Sequence, residues 1–343
     1  MANTVPHSQD ANFYLDTNRP LIPVGSHPIE TGEYLIPTNP VLRMFQDVTR
    51  WINYRYPGGI IYGRPRLGKT RAIEFLLRTL PNHFGSSLPV FHIKSQHIKL
   101  ANEGSFFEAL LKDVGHKIPF SGKPSVKRDR LYKYLLERGS QSKQKRIVMF
   151  IDEAQVLHDL QYGWLMDVFN ELDASRIALT VVLVGQEQLR HQRTAYMQAN
   201  EDQIIGRFMV HEHRFSGIKT AEDLRICLKN FDENSEFPVG SGWSFTRYFF
   251  PEAFAAGERL EHFTEDIFNL FVSLHQESKI SSKIEIPMQY VIASIERALR
   301  EYGVGGELQT RWLTTALWKE AIRSSGYINA ELRIPAIEED LEE

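Results

Sequence analysis

Short apolar runs alternate along this chain with segments whose apolar residues recur at helical spacing. The runs predict five strands: Ile60–Tyr62, Pro89–Ile93, Ile147–Ile151, Leu179–Val184 and Phe208–Phe215. The helical spacing predicts helices at Arg71–Leu80, Ser105–Val114, Lys127–Glu137, Tyr162–Leu172 and Gln188–Gln198. This alternation is typical of an α/β fold, in which helices cover both faces of a parallel sheet.

The pattern changes at both ends of this α/β region. The first residues are rich in proline with little periodicity, and strand signals fade after about Gly217. Helical patterns then follow at 220–231, 264–276, 287–301 and 308–324. We therefore predict an extended arm at 1–38, an α/β core at 39–216, a helical domain at 217–335 with an aromatic-rich insertion near 232–262, and an acidic tail at 336–343.

Composition narrows the classes of function. With 42% hydrophobic and 24% charged residues, the chain has the make-up of a globular protein. Its net charge of −3 confines any DNA contact to a local patch. A single cysteine, Cys227, allows no internal disulfide and fits a reducing cytoplasm. No apolar run is long enough to cross a membrane, so we expect no membrane partner. His211 and His213 alternate along a strand without further ligands nearby, which favours a solvated strand face over a metal site.

The stretch "GRPRLGKT", residues 63–70, follows a predicted strand and precedes a predicted helix. Gly63, Gly68, Lys69 and Thr70 match the spacing of a phosphate-binding loop. In such a loop backbone N–H groups surround phosphate oxygens, the lysine reaches the β- and γ-phosphates, and the hydroxyl binds Mg²⁺. We assign nucleotide binding to this loop and its flank, without a catalytic role for either Arg64 or Arg66. The assigned residues are Gly63, Arg64, Pro65, Arg66, Leu67, Gly68, Lys69, Thr70 and Arg71.

The apolar strand in "RIVMFIDEAQ" ends in two adjacent carboxylates. Asp152 is placed to hold Mg²⁺, directly or through water. Glu153 can orient and deprotonate an attacking water, a role that favours ATP hydrolysis over phosphoryl transfer to a small molecule. Two solvated acids at a strand end are the alternative interpretation.

Two further polar residues follow, one at the end of a predicted strand and the other at the start of the last predicted strand. Gln186 ends the next strand, where its amide could touch both the γ-phosphate and the water. Arg207, in "QIIGRF", would act only if a neighbouring subunit presents it to the γ-phosphate. A surface salt bridge with Glu201 or Asp202 is the other interpretation of Arg207.

Together, "GRPRLGKT", "IVMFIDEAQ", "VVLVGQEQL" and "IIGRF" resemble the AAA+ ATPases of transposition, the TnsC/TniB family. Residues 303–332 are similar to the final lid segment of that family, and the resemblance covers about residues 35–335. It implies a P-loop AAA+ core followed by a small α-helical lid. Arg311 would be the sensor arginine of the lid, at an unusual offset from Gly305 and Gly306.

The same resemblance implies a working cycle. Subunits that bind ATP and Mg²⁺ would assemble on double-stranded DNA as a ring or helical homo-oligomer, with Arg207 completing the neighbour's site. The assembly would recruit transposase subunits and a TniQ-like adaptor, and hydrolysis would dismantle it. The implied protein is the target-selection regulator of Tn-seven-like transposons, including those coupled to CRISPR targeting, in the bacterial cytoplasm at the nucleoid.

A basic stretch, residues 123–146, contains nine Lys or Arg and two acids. By itself such a stretch is typical of a solvated basic helix. The resemblance to the TnsC/TniB family, whose members contact DNA from this part of the core, implies instead salt-dependent binding to the DNA backbone. The candidate DNA contacts are Lys94, Lys99, Lys123, Lys127, Arg128 and Arg130.

Three other functions stay open on the sequence. A replication initiator, or a loader of helicases or clamps, would use the same ATPase core. A scaffold or switch could bind ATP with negligible turnover. A small-molecule kinase is disfavoured by Glu153 and by Arg207.

Overall fold

The computed structural model describes residues 19–280 and 282–332. They fall into two units. The core unit comprises residues 37–217 with 287–289, and the helical unit comprises the remaining described residues. The predicted acidic tail at 336–343 and the first 18 residues of the predicted arm lie outside the described residues.

Five strands form one parallel sheet within the described part of the chain. Its order is β2-β3-β4-β1-β5, so β1 lies between β4 and β5. The predicted parallel sheet is confirmed. The strands are β1 Gly58–Tyr62, β2 Val90–Lys94, β3 Arg146–Asp152, β4 Ala178–Gly185 and β5 His211–Arg214.

Helices surround this sheet and build the helical unit. In chain order they are α1 Pro28–Thr31, α2 Asn39–Asn53, α3 Lys69–Phe84, α4 Glu103–Asp113, α5 Pro124–Gln141, α6 Asp159–Ala174, α7 Glu187–Gln198, α8 Asp202–Ile204, α9 Ala221–Lys229, α10 Phe245–Phe249, α11 Pro251–Ala255, α12 Thr264–Glu277, α13 Met288–Tyr302, α14 Thr315–Ser324 and α15 Tyr327–Glu331. Short 3-10 turns lie at Ala154–Val156 and Leu260–Phe263, and π-helical turns at Ile205–Met209 and Asn230–Asn234.

The central strands are buried on both faces, which explains their unbroken apolar runs. Alternate residues of β3 enter different cores. Ile147 and Met149 pack with α4, α5, α6 and α7, whereas Val148 and Phe150 pack with α2 and α3. The sheet is therefore a middle layer that holds its strand ends rigidly.

Two predicted elements are shorter than expected. The last strand, predicted at Phe208–Phe215, begins only at His211, because the preceding residues wind into a π-helical turn that buries Phe208 and Met209 together. The helix predicted at 308–324 begins at Thr315. Thr314 is its N-cap, and its hydroxyl accepts the N–H of Leu317 at 3.4 Å.

The aromatic-rich insertion at 232–262 folds into α10, α11 and a 3-10 turn. Asp232 is buried, and its carboxylate accepts the N–H groups of Leu260 and Glu261 at 3.1 and 3.0 Å. Burial raises the pKa of Asp232, although these two hydrogen bonds oppose the rise. The carboxylate thereby caps the turn that closes the insertion.

The described part of the predicted arm is not simply extended. It contains α1, which His27 caps by accepting the N–H of Ile29 on Nδ1 at 3.1 Å. The His27 ring is fully buried among four aromatic rings of the helical unit, whose centroids lie 4.6–5.3 Å away. These rings belong to Phe237, Phe245, Tyr248 and Phe249.

No helix in the described ranges has the length and apolar character needed to span a bilayer.

We predict that His27 makes the stability of the helical unit depend on pH. Burial, with a smaller effect of Arg19, lowers the pKa of His27 from 6.5 to about 4. Below pH 6.5 the His27 imidazole is protonated in the unfolded chain but stays neutral in the folded chain. The free energy of unfolding therefore falls as the pH drops toward 4. The expected loss is about 2–3 kcal/mol, measured by chemical denaturation at a series of pH values.

The variant His27→Phe should remove this extra loss, at a cost of about 1 kcal/mol at pH 7 for the missing cap. The exposed His262 of the same unit offers a control, and His262→Phe should leave the pH dependence almost unchanged. Parallel loss of stability in the wild type and His27→Phe would contradict the prediction.

Candidate nucleotide site at the carboxyl edge of the sheet

The predicted phosphate-binding loop leaves the carboxyl end of β1 and enters α3 at Lys69. Gly68 adopts a left-handed conformation, with φ 103°, immediately before the helix. Gly63 is required for a different reason, since a Cβ there would lie 2.2 Å from the carbonyl oxygen of Phe215. Leu67 is buried in the core beside α3 and fixes the loop.

The other loop residues differ in their surroundings. Arg64 is largely buried, whereas Pro65 and Arg66 are exposed. The predicted nucleotide-binding residue Arg71 lies in the first turn of α3 and pairs with Glu74 at 2.9 Å. The three arginines therefore have different surroundings, and no common role in phosphate binding follows from their positions.

Lys69 is buried at the base of the loop. Its Nζ donates to the carbonyl oxygens of Gly63 and Arg64 at 2.7 and 2.8 Å. These bonds hold an ammonium group inside the curve of the loop. A phosphate oxygen could replace either carbonyl as its acceptor.

A hydrogen bond connects the loop to the acidic strand. Thr70 Oγ1 donates to Asp152 Oδ2 at 2.8 Å, and Asp152 Oδ1 accepts the N–H of Glu153 at 3.0 Å. His92 Nε2, on the adjacent strand β2, lies 3.4 Å from Asp152 Oδ2. Burial acts to raise the pKa of Asp152, but the nearby imidazole of His92, the hydroxyl of Thr70 and the N–H of Glu153 outweigh it and hold that pKa below its ordinary value. Asp152 is therefore an anion at neutral pH.

The Thr70–Asp152 pair fits a magnesium ion. Two oxygen ligands at 2.0–2.1 Å from Mg²⁺ and at right angles lie about 2.9 Å apart, which matches the 2.8 Å between these two oxygens. Both are hard oxygen donors, and the carboxylate supplies the negative charge. No cluster of three or more His, Cys, Asp or Glu that could hold a metal occurs among residues 19–280 and 282–332, so this pair would need further ligands from substrate and water.

Glu153 lies just beyond Asp152 in a left-handed conformation, with φ 54° and ψ 37°. Its Oε2 accepts the side-chain N–H of Gln155 at 2.6 Å and that of Gln186 at 3.3 Å. The structure thus brings Gln186 to the carboxylate that the sequence assigns to catalysis. Glu153 itself is exposed, as a group that meets water must be.

Sequence reasoning missed His92 and Gln155. His92 could be found only from the pairing of β2 with β3, which sets it beside the acidic strand. Gln155 carries a sequence signal, because it lies two residues after Glu153 in "DEAQ".

Comparison with known proteins bears on the fold. Residues 54–192 match the model of a family described as an AAA domain. The Aeropyrum pernix ORC2 protein, in ADPNP and ADP complexes, superposes with a TM-score of 0.56 at 13% identity, covering 87% of this chain and 71% of that one. The Aeropyrum pernix ORC1 protein in complex with DNA superposes with a TM-score of 0.50 at 15% identity, covering 87% and 66%. No curated protein matches the sequence.

The core has the P-loop AAA+ fold. The domain match, the strand order and the two superpositions agree on this, and the predicted fold class is confirmed. At 13% and 15% identity, the superpositions show the fold and not the activity.

Within this AAA+ core, Arg207 lies far from the phosphate-binding loop. It is part of the π-helical turn before β5 and not of the strand itself. Its carbonyl oxygen packs beside Gly58, at the amino end of β1, about 15 Å along the strand from the loop. Its guanidinium lies 5.0 Å from the ring centroid of Phe169. Among the described ion pairs none joins Arg207 to Glu201 or Asp202.

Arg311 belongs to the helical unit and is exposed. It lies in the turn before α14 and not within a helix, because α14 begins only at Thr315. Its predicted role as a sensor of nucleotide stays a prediction.

The predicted DNA contacts divide into two groups. Lys127 is buried and forms an ion pair with Glu108, so its charge is already balanced inside the protein. Arg128 pairs with Asp167 at 2.8 Å, and Arg130 donates to the carbonyls of Ile118 and Ser121. Lys94, Lys99 and Lys123 are exposed.

The basic stretch is also not one patch. Residues 124–141 form α5, which at 18 residues is about 27 Å long. Because α5 leads into β3, its first turn lies toward the carboxyl edge of the sheet and its last turn toward the amino edge. Lys123 therefore lies on the same side as Lys94 and Lys99, which follow or end β2, whereas Lys143 lies on the other side.

His211 and His213, which the sequence assigns to a solvated strand face, are both only partly exposed. His213 Nδ1 lies 2.7 Å from a carboxylate oxygen of Asp47, and the His211 ring stacks on Tyr56 with centroids 3.9 Å apart.

Proposed function

We propose that this chain binds ATP with Mg²⁺ and hydrolyses it. The observation that carries the proposal is the convergence of three strand ends on one point. β1 leads to Lys69 and Thr70, β3 ends at Asp152 and Glu153, and β4 leads to Gln186, with direct hydrogen bonds from Thr70 to Asp152 and from Gln186 to Glu153. A turn with solvated acids does not need these contacts.

Each residue has a definite role in this proposal. Lys69 turns from the loop carbonyls to the phosphates and balances their charge. Thr70 and Asp152 hold Mg²⁺, which, when bound, neutralises charge on the phosphate oxygens. Glu153 accepts a proton from the attacking water at a carboxylate oxygen. Gln186, which lies beside this carboxylate, contacts the γ-phosphate and the attacking water through its side-chain amide.

The proposal predicts the effects of two substitutions. Glu153→Gln removes the base and should lower the turnover number by about 100-fold or more, while nucleotide still binds. Lys69→Ala removes the buried cation and should weaken nucleotide binding itself. Phosphate release and equilibrium binding of a fluorescent nucleotide measure the two effects.

The exposed Glu171 of α6 provides a control of the same chemistry, and Glu171→Gln should retain full turnover. Unchanged turnover in Glu153→Gln would refute the catalytic assignment. A wild type that binds ATP but never hydrolyses it would favour a nucleotide-binding switch.

We also propose that Arg207 acts on the nucleotide of a neighbouring subunit. The support is its position, because a side chain at the amino edge of the sheet cannot reach the loop of its own subunit at the carboxyl edge. A guanidinium that lies over an aromatic ring, as that of Arg207 lies over Phe169, can still donate its N–H groups to a phosphate.

Mixing two inactive variants tests this role. Arg207→Ala keeps its own loop and Glu153, whereas Glu153→Gln keeps Arg207. Mixed oligomers should regain activity, with a maximum near equal amounts, because some interfaces combine both intact halves. No recovery at any ratio would contradict a shared site.

For DNA, we propose that Lys94, Lys99 and Lys123 contribute most of the contact. Their support is exposure on one side of the core, whereas Lys127, Arg128 and Arg130 are occupied within the protein. The Aeropyrum pernix ORC1 protein, which shares the fold, is described in complex with DNA.

The triple change of these lysines to glutamate should weaken binding to duplex DNA and reduce the slope of log K against log salt by about two to three. Lys143→Glu, a charge reversal on the opposite side, should have little effect. Fluorescence anisotropy at several salt concentrations measures both, and an unaltered slope in the triple variant would contradict the assignment.

The wider role that we propose is regulation of transposition. The motif combination and the final segment support it through their resemblance to the TnsC/TniB family. Recruitment of transposase subunits and a TniQ-like adaptor, by a homo-oligomer on DNA in the bacterial cytoplasm, is part of this role. Replication initiation is the second candidate, favoured by the likeness to ORC1 and ORC2. Neighbouring genes for a transposase would support the first role, and replication genes would support the second.

A further inference from the structure

Both polar atoms of the Gln155 side-chain amide form hydrogen bonds. Its Nε2 donates to Glu153 Oε2 at 2.6 Å, and its Oε1 accepts the backbone N–H of Gln186 at 3.1 Å. We propose that Gln155 is a positioning residue, which fixes the Glu153 carboxylate relative to the end of β4. This inference rests on the proposed function, because it concerns how the catalytic base of that reaction is held.

Gly185 provides the space that this bridge needs. A Cβ on Gly185 would lie 2.4 Å from Gln155 Oε1, closer than any real contact of that kind. The same Cβ would lie 3.2 Å from Leu189 Cδ2, a contact that a flexible side chain can relieve. Any side chain at position 185 would therefore displace the Gln155 amide from the N–H of Gln186.

Glu153 depends on such a bridge because little else restrains it. It is exposed, and its left-handed backbone turns it away from the strand that precedes it. Gln155 and Gln186 both donate to the same oxygen, Oε2, and neither donates to Oε1. This division leaves Oε1 as the oxygen that can accept a proton from water.

The backbone anchor distinguishes Gln155 from Gln186. Gln155 is partly buried and tied to a main-chain N–H, so its own amide is fixed. The bond from Gln186 to Glu153 is longer, at 3.3 Å, and comes from a side chain at the start of α7. Gln155 is therefore the rigid partner, whereas Gln186 can turn toward a nucleotide without releasing Glu153.

Substitution of Gln155 tests positioning through two readouts. Gln155→Ala should lower kcat about tenfold or more with little change in KM for ATP, because Gln155 does not contact the phosphate loop. Gln155→Glu should lower kcat at least as much, since it adds a second negative charge beside Glu153. The melting temperature of both variants should stay close to that of the wild type. A purely structural role would instead lower the melting temperature and change KM and kcat together.

A double-substitution cycle tests the link to Gly185. Gly185→Ala should lower kcat about tenfold where Gln155 is present, but less than about twofold in the Gln155→Ala background, where the added methyl meets no amide. A loss of kcat caused by the contact with Leu189 would appear in both backgrounds. Equal losses in the two backgrounds, with unchanged melting temperatures, would overturn the proposal.

Glu153→Gln, assayed in parallel, distinguishes failure of the positioning role of Gln155 from failure of the proposed ATP hydrolysis. If it abolishes turnover while Gln155→Ala retains the wild-type kcat, the positioning role is wrong and the proposed function survives. If Glu153→Gln hydrolyses ATP with the wild-type kcat, the catalytic role of Glu153 is wrong, and the positioning role that rests on it is wrong as well.

Discussion

The hydrogen bond from Thr70 to Asp152 is the contact on which the candidate site depends. It joins the first turn of α3 to the end of β3 across the intervening strand β4, and it exists because parallel strands bring their carboxyl ends to one edge. Lys69 is fixed by the same helix start, and Glu153 by the same strand end. A shift of one strand against the next would separate the cation, the metal ligands and the base.

Near the contact between Thr70 and Asp152, hydrogen bonds offset the backbone strain of Glu153. Glu153 occupies a left-handed conformation that costs a side chain free energy, yet it is held by a 3-10 turn and by two glutamine amides. Close approaches at Gly63 and Gly185 keep the loop and the Gln155 bridge in place. The site is therefore built by neighbouring backbone as much as by the side chains that face the substrate.

Much of this arrangement could be predicted from the sequence, and the remainder has physical reasons. Unbroken apolar runs identified the strands, and the spacing of Gly63 to Thr70 identified the loop, because both depend on residues close in the chain. The place of His92 depends on strand register, and the burial of Lys127 on Glu108 of another helix. The sequence alone predicts a strand start at Arg207, because the apolar residues of the π-helical turn also fit alternation.

The most direct test of the account is a crystal structure of the protein with Mg²⁺ and a non-hydrolysable ATP analogue. We predict that the magnesium ion binds Thr70 Oγ1, with Asp152 beside it. We also predict that Lys69 Nζ moves from the carbonyls of Gly63 and Arg64 to the phosphates. The Glu153 carboxylate should face a water near the terminal phosphate. Nucleotide bound away from the loop, or Lys69 still bonded to both carbonyls beside a bound phosphate, would contradict it.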